Sequence, residues 1–275
     1  ISGTIKELNK LGITFNNIII FPSYYPDLSK LDEVWSKCKI YVQLFNPIEE
    51  NKKYEKIEKI EGKNIFDKLK YKLHYNNDNY FCKFVGLGEY GIKAFDKAKI
   101  FYENDFSPEP LKLEDGFIYF KYIDNFLKKD YIVEDFLIFA AKYYSFLIKK
   151  FKTIPSHSFN ELDEIISYNL NEKIQRKFEE QYAIEIDGLP ELSSFCKIGN
   201  KFYKTGNNNY PLRHTLPGNI DYHYDLAAFI IENKLSKEQI KIFLNGVEAK
   251  KEEEKIIYYG LLYKAIKKAK EQNYQ

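Results

Sequence analysis

The sequence contains no methionine and a single tryptophan among its 275 residues. A natural chain of this length ordinarily carries several methionines. We therefore expect either a fragment of a longer protein or a sequence from which the methionine positions are missing, and we treat the distances between motifs as lower bounds.

Cysteine and histidine are scarce as well. Only Cys38, Cys82 and Cys196 are present, without a C-x-x-C pair, and the four histidines are scattered. This usage offers no zinc-ligand spacing and is typical of a reducing cytoplasm, so we expect a cytoplasmic protein. No apolar run reaches the length of a bilayer, so we expect neither a membrane span nor a signal peptide.

An excess of charge of one sign is also lacking. The chain has 42 basic and 40 acidic residues, a net charge of +2. A nucleic-acid-binding or membrane-surface protein usually carries a clear basic excess. We therefore expect neither nucleic acid nor a membrane as partner, and a small-molecule substrate instead.

Hydrophobic periodicity predicts strands early in the chain and helices late. Residues 46–79 are charged and are predicted to be an irregular linker, with a domain boundary nearby. The predicted strands are 17–21, 40–45, 80–85, 117–122, 195–198 and 201–205. The predicted helices are 1–11, 27–36, 89–104, 131–151, 160–182, 225–233, 236–246 and 252–272. This order favours a two-lobed α+β protein over repeated βαβ units.

A glycine-rich turn after the strand at 80–85 allows two interpretations. Gly86, Gly88 and Gly91 match G-x-G-x-x-G, the dinucleotide-binding pattern, which would make the protein a nicotinamide-dependent oxidoreductase. That interpretation needs an acidic residue at the end of a parallel strand about 20 residues further on. The sequence Ser107-Pro108-Glu109-Pro110 stands there instead.

The second interpretation is the small lobe of a kinase. In kinases a strand lysine contacts the nucleotide phosphates and pairs with a glutamate from the next helix. Lys83 fits the strand, and Glu89 or Glu103 fits the helix, Glu89 being the nearer. On this interpretation the glycines shape the entry to the helix, and residues 116–124 form a strand and hinge.

Residues 80–233 resemble aminoglycoside-phosphotransferase-like proteins, relatives of protein kinases, and most closely uncharacterised bacterial members. The resemblance is carried by K-F-x-G-L-G-x-Y-G from Lys83 and by a later block of motifs. That block contains Lys204-Thr205-Gly206, His214, Pro217-Gly218, Asp221 and Tyr224-Asp225-Leu226-Ala227. It implies ATP and Mg²⁺ as cofactors, with Lys83 and Glu89 at the nucleotide.

The same resemblance assigns the catalytic roles. Asp187, in an Asp-Gly pair, would be the base for the acceptor hydroxyl, and His214 would contact the acceptor. Asp225 would anchor the catalytic loop. Asp221 and Asn209 would help to hold magnesium.

The sequence departs from the family at several of these positions. Leu192 stands where H-x-D-x-x-x-x-N has its asparagine, and the metal-binding aspartate falls on Gly206. Three alternatives stay open. The metal site is rearranged, residues are missing from the sequence, or the protein is a nucleotide-binding or assembly module without transferase activity.

The first residues carry a separate resemblance. Ser2, Gly3 and Thr4 at a helix start, followed by Asn-Ile-Ile-Ile-Phe at 17–21, resemble the phosphate loop and next strand of phosphoribosyltransferases. In that loop backbone N–H groups and a hydroxyl hold a phosphate at a helix N-terminus.

These resemblances divide the chain into three segments. We predict a partial phosphoribosyltransferase-like α/β segment at 1–45, a linker and kinase-like small lobe at 46–124, and a mainly helical large lobe at 125–275. The predicted function is ATP-dependent phosphoryl transfer to a small molecule.

Overall fold

A computed structural model describes residues 48, 52–60, 69–86, 88–128, 131–172, 174–206 and 217–272. The helices and strands predicted within residues 1–45 lie outside this part of the chain. So do Ser2, Gly3, Thr4, Asn209 and His214. The described residues fall into two compact units, the first holding those up to 99 together with 109–122, and the second holding 100–108 and those from 123 on.

The first unit is built on a five-stranded antiparallel sheet. Its strands are β1 (Lys56–Lys59), β2 (Lys70–Tyr75), β3 (Asp78–Phe84), β4 (Lys112–Glu114) and β5 (Phe117–Lys121). They lie in the order β1-β2-β3-β5-β4. Helix α1 (Gly88–Glu103) follows β3.

Side chains that alternate along the strands give this sheet two apolar faces. One face buries Tyr71, Leu73 and Phe117 together with Ile48. The other face buries Ile118 against Ala94 of α1 and its helical neighbours. The sheet is therefore covered on both sides.

The second unit is mainly helical. Its helices are α2 (Glu134–Lys150), α3 (Phe159–Leu170), α4 (His223–Glu232), α5 (Lys237–Gly246) and α6 (Glu253–Gln272). Two short antiparallel pairs complete it, β6 (Ala183–Ile184) with β9 (Ile220–Asp221), and β7 (Phe195–Ile198) with β8 (Lys201–Lys204). The α+β class and the helical C-terminal part are confirmed.

Aromatic side chains dominate the core of the second unit. Phe136, Tyr144 and Phe229 are buried in one cluster that joins α2, α4 and the β7–β8 hairpin. Phe136 meets Phe195 and Phe202 of the hairpin edge to face, at ring distances of 5.1 and 5.5 Å. These contacts fix the hairpin, and with it the loop that precedes it.

Two of the sequence-based predictions were wrong. Residues 46–79 were predicted to be irregular, but they hold β1, β2 and the start of β3. The helix predicted at 160–182 ends at Leu170, because Asn171 adopts a left-handed conformation (φ 58°) and caps it. The other helices and strands predicted in the described part lie within a few residues of the observed ones.

Candidate functional site

The candidate site lies in the loop between β6 and β7 of the second unit. β6 pairs with β9, Ala183 facing Asp221 and Ile184 facing Ile220. The chain then passes through Asp187 and Gly188 and enters a short 3-10 turn at Leu192–Ser194 before β7 begins. The positive φ of Gly188 (67°) favours glycine at this bend.

Asp225 holds the backbone of this loop. It lies in the first turn of α4, and its Oδ2 accepts the Asp187 N–H at 2.8 Å while Oδ1 accepts the Gly188 N–H at 3.4 Å. Burial, followed by the nearby Asp187 charge, raises the pKa of Asp225 to about 7, against the effect of these two N–H groups and of Lys204. The anchoring role predicted for Asp225 matches this geometry.

The Asp187 carboxylate is enclosed by two side chains. The Tyr143 hydroxyl donates a hydrogen bond to Oδ1 at 3.1 Å. The Lys204 Nζ lies 3.0 Å from Oδ2, and the two side chains of this ion pair are 0% and 1% exposed. The carboxylate predicted to be a catalytic base is therefore neutralised by a lysine inside the protein.

Lys204 is fixed in place by its surroundings. Its backbone N–H donates to Phe106 O at 2.7 Å, and its ammonium donates to Thr205 O at 3.3 Å. The ring of Phe195 lies 5.0 Å from Nζ, within the range of a cation–π contact. A lysine at the end of β8 thus points its charge at the loop before β7.

The rest of the loop is tied to α4. The Asn233 side chain accepts the Leu192 N–H at 3.1 Å and donates to Pro190 O at 2.8 Å. The Ser194 hydroxyl bonds to Leu189 O at 2.8 Å. Leu192 itself is buried in the main aromatic and aliphatic core. The position expected for a magnesium-binding asparagine is therefore part of the apolar interior.

Asp221 belongs to a second buried cluster. Its Oδ2 accepts the Tyr182 N–H at 2.9 Å, and its Oδ1 lies 2.6 Å from His223 Nδ1. Since His223 Nε2 accepts the Glu252 N–H at 3.2 Å, we assign the ring proton to Nδ1, which donates to Asp221. Lys255 adds a positive charge 3.7 Å from Oδ2.

Asp221 therefore has protein partners on both oxygens. The magnesium role given to Asp221 stays a prediction, and its contacts with Tyr182, His223 and Lys255 give it a structural role.

Lys83 and Glu89 lie in the first unit. Lys83 is buried on β3, opposite Ile118 of β5 and Lys70 of β2. Glu89 opens α1, and its carboxylate is 87% exposed and lies 3.7 Å from Lys93, one helical turn on. Their roles at a nucleotide stay predictions.

The glycines before α1 shape the start of the helix. A Cβ at Gly91 would lie 2.3 Å from the carbonyl oxygen of Gly86, so the two backbones approach too closely for any other residue. The sheet around the turn is antiparallel, whereas a dinucleotide-binding turn joins parallel strands. The oxidoreductase interpretation of this motif is therefore wrong.

Solved structures with a similar fold include choline kinases and a spectinomycin phosphotransferase. Choline kinase LicA from Streptococcus pneumoniae aligns with a TM-score of 0.53 at 16% identity, over 87% of this chain and 92% of that one. Spectinomycin phosphotransferase APH(9)-Ia, solved with ADP and spectinomycin, aligns with a TM-score of 0.53 at 11% identity. The alignment covers 79% of this chain and 89% of that one. A choline/ethanolamine kinase family protein from Mesorhizobium loti aligns with a TM-score of 0.50 at 14% identity, over 86% of this chain and 88% of that one.

The chain has a kinase-like fold. The kinase-like resemblance predicted from residues 80–233 is thereby confirmed at the level of the fold. The sequence itself matches no protein-family model and no curated protein sequence. Across the described residues, no helix is long and apolar enough to cross a membrane.

The described surroundings of Asp187 do not fit magnesium. Magnesium takes six oxygen ligands in near-ideal octahedral geometry, with one or two carboxylates among them. Asp187 already holds Tyr143 and Lys204, and Leu192 offers no oxygen from its side chain. No group of three histidine, cysteine, aspartate or glutamate side chains in the described ranges could hold a metal.

Sequence reasoning missed Lys204 and Asn233. Lys204 was noted only as part of the Lys-Thr-Gly motif, and Gly206 was taken as the position that replaces the metal-binding aspartate. A signal for Lys204 was present in the alternation of Lys201–Lys204, since Phe202 and Lys204 share the buried side of the strand. A lysine in a buried register needs a negative partner.

Proposed function

We propose that this chain is a nucleotide-binding module of the phosphotransferase fold that does not transfer phosphoryl groups. The observation that carries this proposal is the buried ion pair between Lys204 and Asp187, 3.0 Å long. Phosphoryl transfer needs a carboxylate that can reach the acceptor hydroxyl and oxygen ligands that hold magnesium at the phosphates. The Asp187 carboxylate is neutralised and shut off from solvent, and the loop carries a buried leucine at position 192.

Nucleotide binding is supported by the fold and by Lys83. One solved structure of this fold, the spectinomycin phosphotransferase, holds ADP. Lys83 stands on a central strand of the antiparallel sheet, the kind of position from which kinases contact phosphates. We propose that Lys83 contacts nucleotide phosphates in this chain as well.

ATP-dependent phosphoryl transfer to a small molecule is the second candidate. It is favoured by the Asp225 carboxylate, which holds the Asp187 backbone at 2.8 Å and so keeps the loop ordered. For this activity the Lys204 ammonium would have to leave Asp187 when substrates bind. The neighbours named above suggest choline, ethanolamine and spectinomycin as acceptors to try.

Thermal unfolding with ligands separates these candidates. The protein is heated alone, with ATP and EDTA, with ATP and Mg²⁺, with NAD and with phosphoribosyl pyrophosphate. The non-catalytic module predicts equal stabilisation by ATP with and without Mg²⁺, and no ADP formation with any of the acceptors. Stabilisation that requires Mg²⁺, together with ADP formation that Asp187→Asn abolishes, would establish the phosphotransferase instead.

A matched pair of lysine variants tests the role of Lys83. Lys83→Ala should remove the stabilisation by ATP, because the phosphates lose their positive partner. Lys93→Ala, an exposed lysine on α1, should leave it unchanged. Equal stabilisation of both variants by ATP would contradict nucleotide contact at Lys83.

A further inference from the structure

The groups around the Lys204 ammonium, next to Asp187, favour a single positive charge. Asp187 Oδ2 lies 3.0 Å and Thr205 O lies 3.3 Å from the Lys204 Nζ, so two oxygens converge on the ammonium. The rings of Phe195 and Tyr143 lie 5.0 and 6.0 Å from the same nitrogen. Aromatic faces and oxygens both favour a positive charge at this point.

The Asp187 carboxylate would be open to a metal if that ammonium were absent. Its Oδ2 is buried and accepts no hydrogen bond among the described residues, so the charge of Lys204 alone balances it. A buried carboxylate oxygen without a hydrogen bond is a strong ligand for a hard cation. An ammonium and a divalent ion cannot both occupy this space, because like charges at such a distance repel strongly in a low dielectric.

We propose that the Lys204 ammonium takes the place of a divalent cation at Asp187 and excludes Mg²⁺ and Mn²⁺ from the loop. The lysine is thus a covalently attached counterion. This proposal rests on the function proposed above, since it explains why nucleotide would bind without magnesium. The exclusion of metal is measured without nucleotide, so its failure and the failure of nucleotide binding are distinguishable.

The structure offers a matched control for Lys204. Lys201 stands on the same strand and lies 3.0 Å from Asp105, the same separation, but its side chain is 64% exposed and that of Asp105 78%. Removal of Lys201 leaves the Asp105 carboxylate in contact with solvent, so no buried oxygen loses its positive partner. The substitutions Lys204→Ala and Lys201→Ala therefore differ in burial rather than in the length of the ion pair that is broken.

The test uses Mn²⁺ alone, followed by electron paramagnetic resonance and by thermal unfolding. Lys204→Ala should bind one Mn²⁺ per chain, with a rise in Tm of about 4 °C or more at saturation. The unmodified protein and Lys201→Ala should show neither effect. The double variant Lys204→Ala/Asp187→Asn should lose the Mn²⁺ site again.

Two results would overturn the proposal. One is a Mn²⁺ site in the unmodified protein that Asp187→Asn removes, and the other is a folded Lys204→Ala variant that binds no Mn²⁺. If Lys204→Ala is isolated unfolded, it is refolded with and without Mn²⁺ and followed by circular dichroism. Recovery only with Mn²⁺ supports the proposal, and no recovery in either buffer counts against it.

Discussion

The Lys204 ammonium and the Asp187 carboxylate form an ion pair of 3.0 Å inside the second unit. Lys201 and Asp105, on the same hairpin and the loop beside it, form a pair of the same length in open solvent. Equal lengths do not mean equal energies, because water screens the exposed pair and cannot reach the buried one. The buried pair is therefore the one on which the loop depends.

Loss of the buried lysine should lower stability strongly. We expect Lys204→Met to reduce the free energy of unfolding by about 3–5 kcal/mol, because it leaves Asp187 as an uncompensated buried charge. Lys201→Met should change it far less. Urea denaturation of both variants measures the difference, and equal losses would show that burial does not govern this pair.

Asp225 should give the protein a distinctive dependence on pH. Its pKa is about 7 in the folded protein, raised from an ordinary value of 3.8, so the folded state holds a proton that the unfolded state has released. Between about pH 4 and 7 the stability from this group should fall as pH rises. The Asp187 charge raises the pKa of Asp225, and the Lys204 charge lowers it.

The matched variant for that prediction is Asp225→Asn, which cannot titrate. The difference in unfolding free energy between the unmodified protein and the variant, measured from pH 4 to 8, should shrink as pH rises. A difference that does not change with pH would contradict a raised Asp225 pKa.

Gly91 should be indispensable to the turn before α1. Replacing a helical glycine with alanine usually stabilises a helix by about 1 kcal/mol. At Gly91 the new Cβ would meet the Gly86 carbonyl at 2.3 Å, so Gly91→Ala should lower Tm instead. Gly260→Ala in α6 is the control, since there the Cβ would meet the end of Ile231 at 3.2 Å and the Ala227 Cβ at 3.8 Å. A Gly91→Ala protein as stable as the Gly260→Ala protein would refute the close approach.

Asp221 should behave as a structural residue. Asp221→Asn weakens its contacts with His223 and Lys255, so we expect a lower unfolding temperature that is the same in Mg²⁺ and in EDTA. Lys255→Met should act in the same direction, since it removes a charge from the same cluster. Loss of a Mg²⁺-dependent stabilisation in Asp221→Asn alone would instead support the magnesium role predicted from the sequence.

Local signals in the sequence were sufficient for most of the helices. Ser236 and Gln239 fit the S-x-x-Q capping-box pattern, and the structure shows both of its hydrogen bonds at the start of α5. The strand at Lys70–Tyr75 was missed because its polar face is lysine and histidine, and the charge obscured the alternation that buries Tyr71 and Leu73. The helix that begins at Phe159 ends early because Asn171 adopts a left-handed backbone conformation. Asparagine tolerates this conformation, but its presence in the sequence does not predict it.

The site was predictable only where function and local pattern coincide. Asp187 and Asp225 were found because their motifs carry a known chemistry. The pairing of Lys204 with Asp187 joins a strand to the loop that precedes its hairpin, and it depends on which side of β8 faces the core. The alternation along Lys201–Lys204 indicates that Phe202 and Lys204 share a side. Which loop that side faces is set by the packing of Phe195 and Phe202 against α2, and the alternation does not encode it.

The most direct test of the non-catalytic assignment is ³¹P nuclear magnetic resonance of ATP mixed with an equimolar amount of the protein, Mg²⁺ and the acceptors choline, ethanolamine and spectinomycin. Relative to ATP in the same buffer without protein, we predict that the ATP signals broaden or shift on binding both with Mg²⁺ and with EDTA. We predict that no ADP or phosphorylated acceptor forms. Conversion of ATP to ADP that requires Mg²⁺ and disappears in Asp187→Asn would contradict this account.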